Sequence, residues 1–288
     1  MSPQADGVDL AGDFRVPRNM AASQRGSIHD DATASKLGFR GGTVAGSIHM
    51  DQFPPLLTQL FGEAWLGTGN LSLYFKHATV DQEPVRAMAR LKCGERQARL
   101  TMVNKTGDQV CEGTAACGAP DHDSELTHRM KVQDRPEPGA LRIMRNLRLG
   151  HMGEPAAVRL SAETLDERLE TITEALPAYR GEGVWPGRVL PPSCCVHLAS
   201  DAPRKWLGSA LASPAVGLFG AIELQFLGGP LLADTDYVAR GDILALSESP
   251  KTENVWYRSS LSDPTTGREV AQMIQYLRFM KASSPLYA

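Results

Sequence analysis

The chain has 288 residues, of which 42% are hydrophobic and 22% charged, and its net charge is -3. This composition is typical of a soluble globular protein with a substantial core, and the weak net charge gives no electrostatic reason to expect nucleic acid as a partner. No stretch is long and apolar enough to span a bilayer, and the first residues lack the basic and apolar parts of a secretory signal. We therefore expect a cytoplasmic protein without a membrane partner.

The stretch from residue 26 to 62 places polar side chains directly before an apolar helix. His29 is followed by Asp30 and Asp31, and a glycine cluster then ends at Gly46. The first turn of a helix has free N–H groups and a partial positive charge, which suit a carbonyl oxygen that gains negative charge during a reaction. A nearby histidine can move the proton that such a reaction needs. The pattern predicts a reaction site here.

The first half reads as a helical segment followed by a sheet. Residues 1–12 are polar, so we expect a loose arm. Apolar spacing predicts a helix from Gly46 to Phe61, with Pro54 and Pro55 causing either a kink or two short helices that meet near Phe53. Four extended segments at 71–80, 84–94, 98–107 and 109–118 predict an antiparallel meander, which makes the pattern α+β.

The second half repeats this order of elements. Helical segments are predicted at 161–179 and from Pro191 to Gly208, and four long extended segments follow, of which the last is too apolar to be a solvated edge strand. An internal duplication is the simplest account. The predicted domains are 1–120, carrying the site, a linker at 121–156, and 157–288, acting mainly as a structural partner that forms part of the pocket.

At this point the chain resembles the MaoC-like hydratase and dehydratase family, whose hot-dog fold wraps a curled antiparallel sheet around a long helix. The duplication makes it similar to a double hot-dog protein. The family motif has an aspartate, an Asn-Pro pair, a histidine with an aspartate two residues later, a Gly-Phe pair and a His-Gly that opens the central helix. The matching positions here are His29, Asp31, Gly38-Phe39 and Gly46. The interval from His29 to Gly38 is one residue short.

Two positions depart from that motif. Gln24 stands where the family has its catalytic aspartate, and Ala45 stands where the helix-opening pair has its histidine. In the family, the aspartate and histidine together add water to, or remove it from, the double bond of an acyl thioester. The resemblance therefore covers the fold over nearly the whole chain but only part of the catalytic motif.

The resemblance implies a role for each candidate residue. His29 would transfer the proton, Asp31 would orient it and Gly46 would donate its N–H to the thioester oxygen; Gln24, Ser47 and His49 would contact the substrate. The alternatives are that an aspartate after His29 caps a helix beginning near Ala32, and that His49 fills the core. No metal or redox cofactor is implied, because thioester polarisation and proton transfer need neither. Coenzyme A or an acyl carrier would arrive as part of the substrate, and a homodimer is left open.

Two other functions remain open. One is hydrolysis of the thioester, which needs a carboxylate or an activated water facing the carbonyl. The other is a binding or structural protein that kept the pocket and lost the chemistry, which Gln24 supports. A basic cluster around Arg142, Arg145 and Arg148 could hold the phosphates of coenzyme A, although a solvated helical face explains it more simply.

Overall fold

The computed structural model describes residues 7–118, 120–131, 140–150 and 153–288. Parts of the predicted loose arm (1–6) and of the predicted linker (119, 132–139 and 151–152) lie outside these described residues. No helix among the described residues is long and apolar enough to cross a membrane.

The first half follows the predicted order, with short helices before a four-stranded meander. Its elements are β1 Gly7–Ala11, α1 Asp31–Lys36, α2 Gly46–Met50, α3 Pro54–Phe61, α4 Trp65–Thr68, β2 Gly69–Phe75, β3 Val85–Lys92, β4 Gln97–Asn104, β5 Gln109–Cys117 and α5 Glu125–Lys131. The apolar segment forms two helices, α2 and α3, that meet around Phe53, because the prolines begin a new helix at its first turn.

The second half repeats the plan with one long central helix. Its elements are β6 Ala156–Arg159, α6 Ala162–Leu169, α7 Pro192–Ala210, β7 Gly217–Phe226, β8 Asp236–Glu248, β9 Thr252–Ser262 and β10 Glu269–Met280, with short 3₁₀ turns at Pro177–Arg180, Lys281–Ser283 and Pro285–Tyr287. The central helices therefore begin at Gly46, as predicted, and at Pro192, one residue after the predicted start.

The ten strands form one antiparallel sheet in the order β1-β3-β4-β5-β2-β7-β10-β9-β8-β6. Read outward from its middle, each half has the same succession of strands, since β2, β5, β4, β3 and β1 match β7, β10, β9, β8 and β6. The halves join where β2 pairs with β7, from Asn70 opposite Gln225 to Tyr74 opposite Ala221. This arrangement confirms the α+β double hot-dog fold.

The central helices α2 and α7 pack on one face of the sheet, and the alternation of side chains explains why. In β3 and β4 every second residue is buried, among them Ala87, Leu100 and Met102, while the residues between them are more exposed. The α2 and α7 helices contact each other above the middle of the sheet. At the same place on the opposite face, α5 covers β2 and donates the Leu126 N–H to Ser72 Oγ at 3.0 Å.

Two predictions about local structure are wrong, and the predicted linker contains structure that the sequence analysis did not assign. Residues 7–11, assigned to the loose arm, form β1, which pairs with β3 through its main chain. The predicted helix at 161–179 ends at Leu169 because Thr171, Ile172 and Thr173 are β-branched and disfavour helix. The strand β6 begins at Ala156, the last position of the predicted linker, and α5 lies within that linker. The domain boundaries themselves stay a prediction.

Candidate functional site

A cavity of about 1100 Å³ lies where the two halves meet. After Tyr74 the strands β2 and β7 separate, because residues 217–219 of β7 pair only with β10. Residues 75–79 and 216–219 line the opening left between them, together with the sides of α2 and α7. Both halves thus contribute walls to one cavity.

His29 lies in the wall of this cavity, and its ring is oriented by the backbone. Nδ1 donates to the carbonyl oxygen of Thr43 at 2.7 Å. In the neutral ring this leaves Nε2 as the nitrogen that accepts a proton. Burial lowers the pKa of His29, the Thr43 carbonyl raises it, and the positive charge of Arg204 lowers it further, with a net decrease. Near pH 7 the imidazole is therefore in its neutral form, which can accept a proton.

A close approach of two backbone segments holds this contact. Asn19 Nδ2 donates to the carbonyl oxygen of His29 at 2.8 Å. A Cβ on Gly42 would lie 2.1 Å from that same oxygen, so only glycine lets the segment carrying Thr43 lie against the segment carrying His29. The glycine cluster therefore positions the histidine as well as preceding a helix.

The structure corrects the role predicted for Asp31. Its Oδ1 accepts the Gly42 N–H at 2.7 Å. Among the described residues, no hydrogen bond joins Asp31 to the imidazole of His29. The N-cap of α1 is Asp30, which accepts the Ala32 N–H at 3.2 Å and the Thr33 hydroxyl at 2.7 Å. Asp31 therefore contacts the backbone of Gly42, and the Nδ1 of His29 is held by the Thr43 carbonyl instead.

Gly46 is the first residue of α2, so its N–H has no partner within the helix. Gly46 and Ser47 both line the cavity. A Cβ on Gly46 would lie 2.6 Å from the ring of Phe75, which also lines the cavity. The glycine thus permits both the exposed helix start and the packing of Phe75 against it.

Gly46→Ala should destabilise the protein by about 1–3 kcal/mol, because the new methyl group overlaps the Phe75 ring. The matched control is Gly208→Ala in α7, which also lines the cavity but has no atom within 4 Å of the added Cβ. That change should stabilise the protein by up to about 1 kcal/mol, since alanine favours helix. Equal unfolding free energies for the two variants in urea would contradict this packing account.

The predicted substrate contacts divide into two kinds. Gln24 is exposed and lines the cavity, so its amide is open to a ligand. His49 is only 2% exposed, its Nε2 lies 2.8 Å from Thr79 Oγ1, and its Nδ1 has no hydrogen-bond partner among the described residues. Burial lowers the pKa of His49 to about 4, so the ring is neutral. His49 therefore lies in the cavity wall as a buried side chain.

The second half contributes polar groups that were not among the predicted site residues. Arg168 of α6, with His197 and Arg204 of α7, lines the cavity. Burial and both arginine charges lower the pKa of His197, although Asp201 opposes them. Lys76, Lys251 and Arg278 also line the cavity, and no aspartate or glutamate does so among the described residues. A protein with a net charge of -3 therefore has a cationic cavity.

The basic cluster of the sequence lies elsewhere. Arg142, Arg145 and Arg148 are not part of the cavity wall. Their segment forms turns, and the buried Glu253 carboxylate accepts the N–H groups of Arg142, Ile143 and Met144 at 2.7–2.9 Å. Within the described ranges, no group of three or more histidine, cysteine, aspartate or glutamate side chains is placed to hold a metal ion.

No family model matches the chain, and a search of curated proteins finds no match. Solved structures do match over nearly the whole length of both chains. A MaoC-like dehydratase is 13% identical, covers 95% of this chain and 98% of its own, and gives a TM-score of 0.58. A protein of Chloroflexus aurantiacus named a MaoC domain protein dehydratase is 13% identical, with 96% and 95% coverage and a TM-score of 0.59.

A third match is a conserved hypothetical protein of Mycobacterium tuberculosis described as having a double hotdog fold. It is 14% identical, with 96% and 97% coverage and a TM-score of 0.60. At this level of identity the likeness shows the fold, which is that of the double hot-dog proteins. The chemistry has to be argued from the site itself.

Proposed function

We propose that this protein is a hydratase or dehydratase that acts on an α,β-unsaturated or 3-hydroxy acyl thioester, with His29 as the proton-transfer group. The observation that carries the proposal is the imidazole in the wall of a cavity shared by both halves, with Nδ1 held by the Thr43 carbonyl and Nε2 free to accept a proton. Its lowered pKa keeps the neutral, basic form at neutral pH.

The reaction needs a base for water and a site for the enolate oxygen. In hydration, Nε2 of His29 takes a proton from water as the water oxygen bonds to the β-carbon, and the electron pair of the double bond moves toward the thioester carbonyl. The N–H of Gly46, in the first turn of α2, donates to the resulting oxyanion. The imidazolium then returns a proton to the α-carbon, so the net change is addition of water, and dehydration is the reverse.

The supporting roles follow from the contacts. Asp31 holds Gly42, which places Thr43 so that its carbonyl fixes the tautomer of His29. Gln24, at the position of the family aspartate, offers an amide that hydrogen-bonds the attacking water, and Ser47 contacts the thioester end of the substrate. We propose coenzyme A or an acyl carrier as the thiol, arriving with the substrate, and no separate cofactor.

The cavity wall bears on one form of the rival reaction. Hydrolysis by a carboxylate that faces the carbonyl lacks its residue, because no described residue of the cavity wall is an aspartate or glutamate. Hydrolysis by a water that His29 activates is distinguished from hydration by the thiol assay below. A pocket that only binds acyl thioesters would need neither a fixed imidazole tautomer nor the close approach at Gly42 that fixes it.

The experiment is to incubate the purified protein with crotonyl-CoA and, separately, with butyryl-CoA. Loss of the enoyl absorbance without release of free thiol is the expected result for crotonyl-CoA, and no reaction is expected for butyryl-CoA. Thiol release from both substrates would instead identify a thioesterase. Binding of both by calorimetry without turnover would identify a binding protein.

A further inference from the structure

The cavity reaches both faces of the sheet. Leu277 and Phe279 of β10 belong to the core cluster under α2 and α7, on the inner face. Tyr276 packs with Leu126 of α5 on the opposite, outer face. Arg278 follows Tyr276 by two residues and therefore lies on the outer face as well. All four side chains of β10 line the cavity, which thus extends through the gap where β2 and β7 separate.

The proposed reaction site lies at the inner-face end of the cavity. A Cβ on Gly46 would lie 2.6 Å from the ring of Phe75, which packs against the core cluster of the inner face. His29 is held by Thr43, three residues before Gly46. A thioester between His29 and the start of α2 is therefore separated from Arg278 by the sheet, and a ligand that reaches both has to pass through the gap.

The guanidinium group of Arg278 is held in a defined position. Nη2 donates to the hydroxyl oxygen of Tyr74 at 2.7 Å. The guanidinium carbon lies 5.2 Å from the centroid of the Tyr74 ring and 5.0 Å from that of the Tyr276 ring. A Cβ on Gly220 would lie 2.6 Å from Nε, so glycine leaves the space that the half-buried arginine occupies. These contacts place the cation before any ligand is bound.

The charge of Arg278 has no carboxylate partner among the described residues. Three other cations of the outer face are paired, Lys76 with Glu112 at 3.2 Å, Arg129 with Glu112 at 2.7 Å and Arg258 with Asp242 at 3.0 Å. Arg278 is thus an uncompensated cation in the cavity wall. An anion bound there gains charge-assisted hydrogen bonds from N–H groups that need no rearrangement.

We propose that the ligand passes through the gap between β2 and β7, and that Arg278 binds an anionic group of the ligand, a phosphate or a carboxylate, on the outer face. Tyr74 is the positioning residue for Arg278. The inference rests on the proposed function for the place of the thioester and adds the chemistry of the ligand's remote end. Two sources supply such an anion: the phosphates of a pantetheine carrier, and a carboxylate at the far end of the acyl chain.

The test is calorimetry with three saturated thioesters that cannot be dehydrated. Hexanoyl-pantetheine has no anionic group, hexanoyl-CoA adds the phosphates, and adipoyl-pantetheine replaces the terminal methyl group with a carboxylate. The wild type should bind at least one of the two anionic esters more tightly than the neutral ester. Which of them is preferred identifies the source of the anion.

Arg278→Gln should weaken binding of the preferred anionic ester by about 10- to 100-fold, the range expected for hydrogen bonds to a charged group. Binding of hexanoyl-pantetheine should not change. The matched control is Arg258→Gln, the same substitution on the same face of the sheet but outside the cavity wall, and it should leave all three affinities unchanged. If Arg278→Gln binds both anionic esters as tightly as the wild type, or loses the neutral ester equally, the proposal is overturned.

Tyr74→Phe keeps the ring and removes the hydroxyl that accepts from Arg278. It should weaken binding of the anionic ester by about 2- to 10-fold, as expected for loss of one hydrogen bond. In the Arg278→Gln background the same change should have no further effect. A similar loss in both backgrounds would show that Tyr74 does not act through the arginine.

Binding is measured apart from turnover, so the two proposals can fail separately. If no enoyl thioester is hydrated but Arg278→Gln still loses the anionic ester, the proposed function is rejected and the anion site stands. If crotonyl-CoA is hydrated and the wild type binds all three saturated esters equally, the anion site is rejected and the proposed function stands.

Discussion

His29→Ala should lower turnover of enoyl-CoA by about 1000-fold, the middle of the range for loss of a general acid or base. The substitution removes both the proton-accepting nitrogen and the Nδ1 hydrogen bond to Thr43. Stability should change by about 1 kcal/mol or less, because the ring is only half-buried and makes a single described hydrogen bond. Initial rates at saturating substrate, together with urea unfolding, measure the two effects separately.

His128→Ala is the control for this change. His128 lies on α5, is exposed and pairs with Asp123 at 3.0 Å, outside the cavity wall. Its removal should leave turnover unchanged. Wild-type turnover in His29→Ala would show that this histidine is not the proton-transfer group.

Asp51→Asn should abolish a pH dependence of stability that arises at the contact between the two central helices. The side chain of Asp51 is buried, and Oδ1 accepts the Ser193 N–H in the first turn of α7 at 2.7 Å. Burial raises the pKa of this carboxyl from 3.8 to about 7, although the contacts with Ser193 oppose the change. The other oxygen has no hydrogen-bond partner among the described residues.

The direction in which the free energy of unfolding changes with pH follows from proton binding to Asp51. Between about pH 4 and pH 7 the folded protein holds a proton on Asp51 that the unfolded chain has released, so the stability from this group is full below pH 4 and is lost as the pH rises to 7. Over that window the free energy of unfolding of the wild type should fall, relative to that of Asp51→Asn, by about 2–4 kcal/mol.

Urea unfolding at pH 4.5 and pH 8 measures this difference. The matched control is Asp201→Asn, the same change at a more exposed carboxylate of α7 that pairs with Lys205. It should follow the pH dependence of the wild type. Parallel pH profiles for the wild type and Asp51→Asn would mean that the buried carboxyl is ionised in the folded protein throughout this range.

The sequence was sufficient to predict the larger elements because their signals are local. Pro192 starts α7 and Gly46 starts α2, and the apolar character of β10 placed it inside the sheet, where it lies between β7 and β9. The short edge strands β1 and β6 were missed, since their pairing is made by the main chain and their side chains are largely exposed. The resemblance to a known family supplied the fold on which these elements are arranged.

The candidate site was predictable only in part. His29, Gly46 and Gln24 were found through a motif, and the structure places all three at one cavity. The group that orients His29 is a backbone carbonyl, that of Thr43, which has no signature in residue type, so Asp31 was chosen in its place. Arg204 was missed because the cavity wall it forms is created by tertiary structure, 175 residues after His29 in the chain.

The central claim is that the neutral imidazole of His29 is the base, and its titration tests this most directly. The pKa of His29, measured by NMR in the free protein, should lie below 6.5 and should coincide with the acidic limb of the pH profile of kcat/KM. In Arg204→Gln both values should move to higher pH, since removing a nearby positive charge favours the imidazolium. A pH profile whose acidic limb stays in place when the pKa of His29 moves would contradict the account.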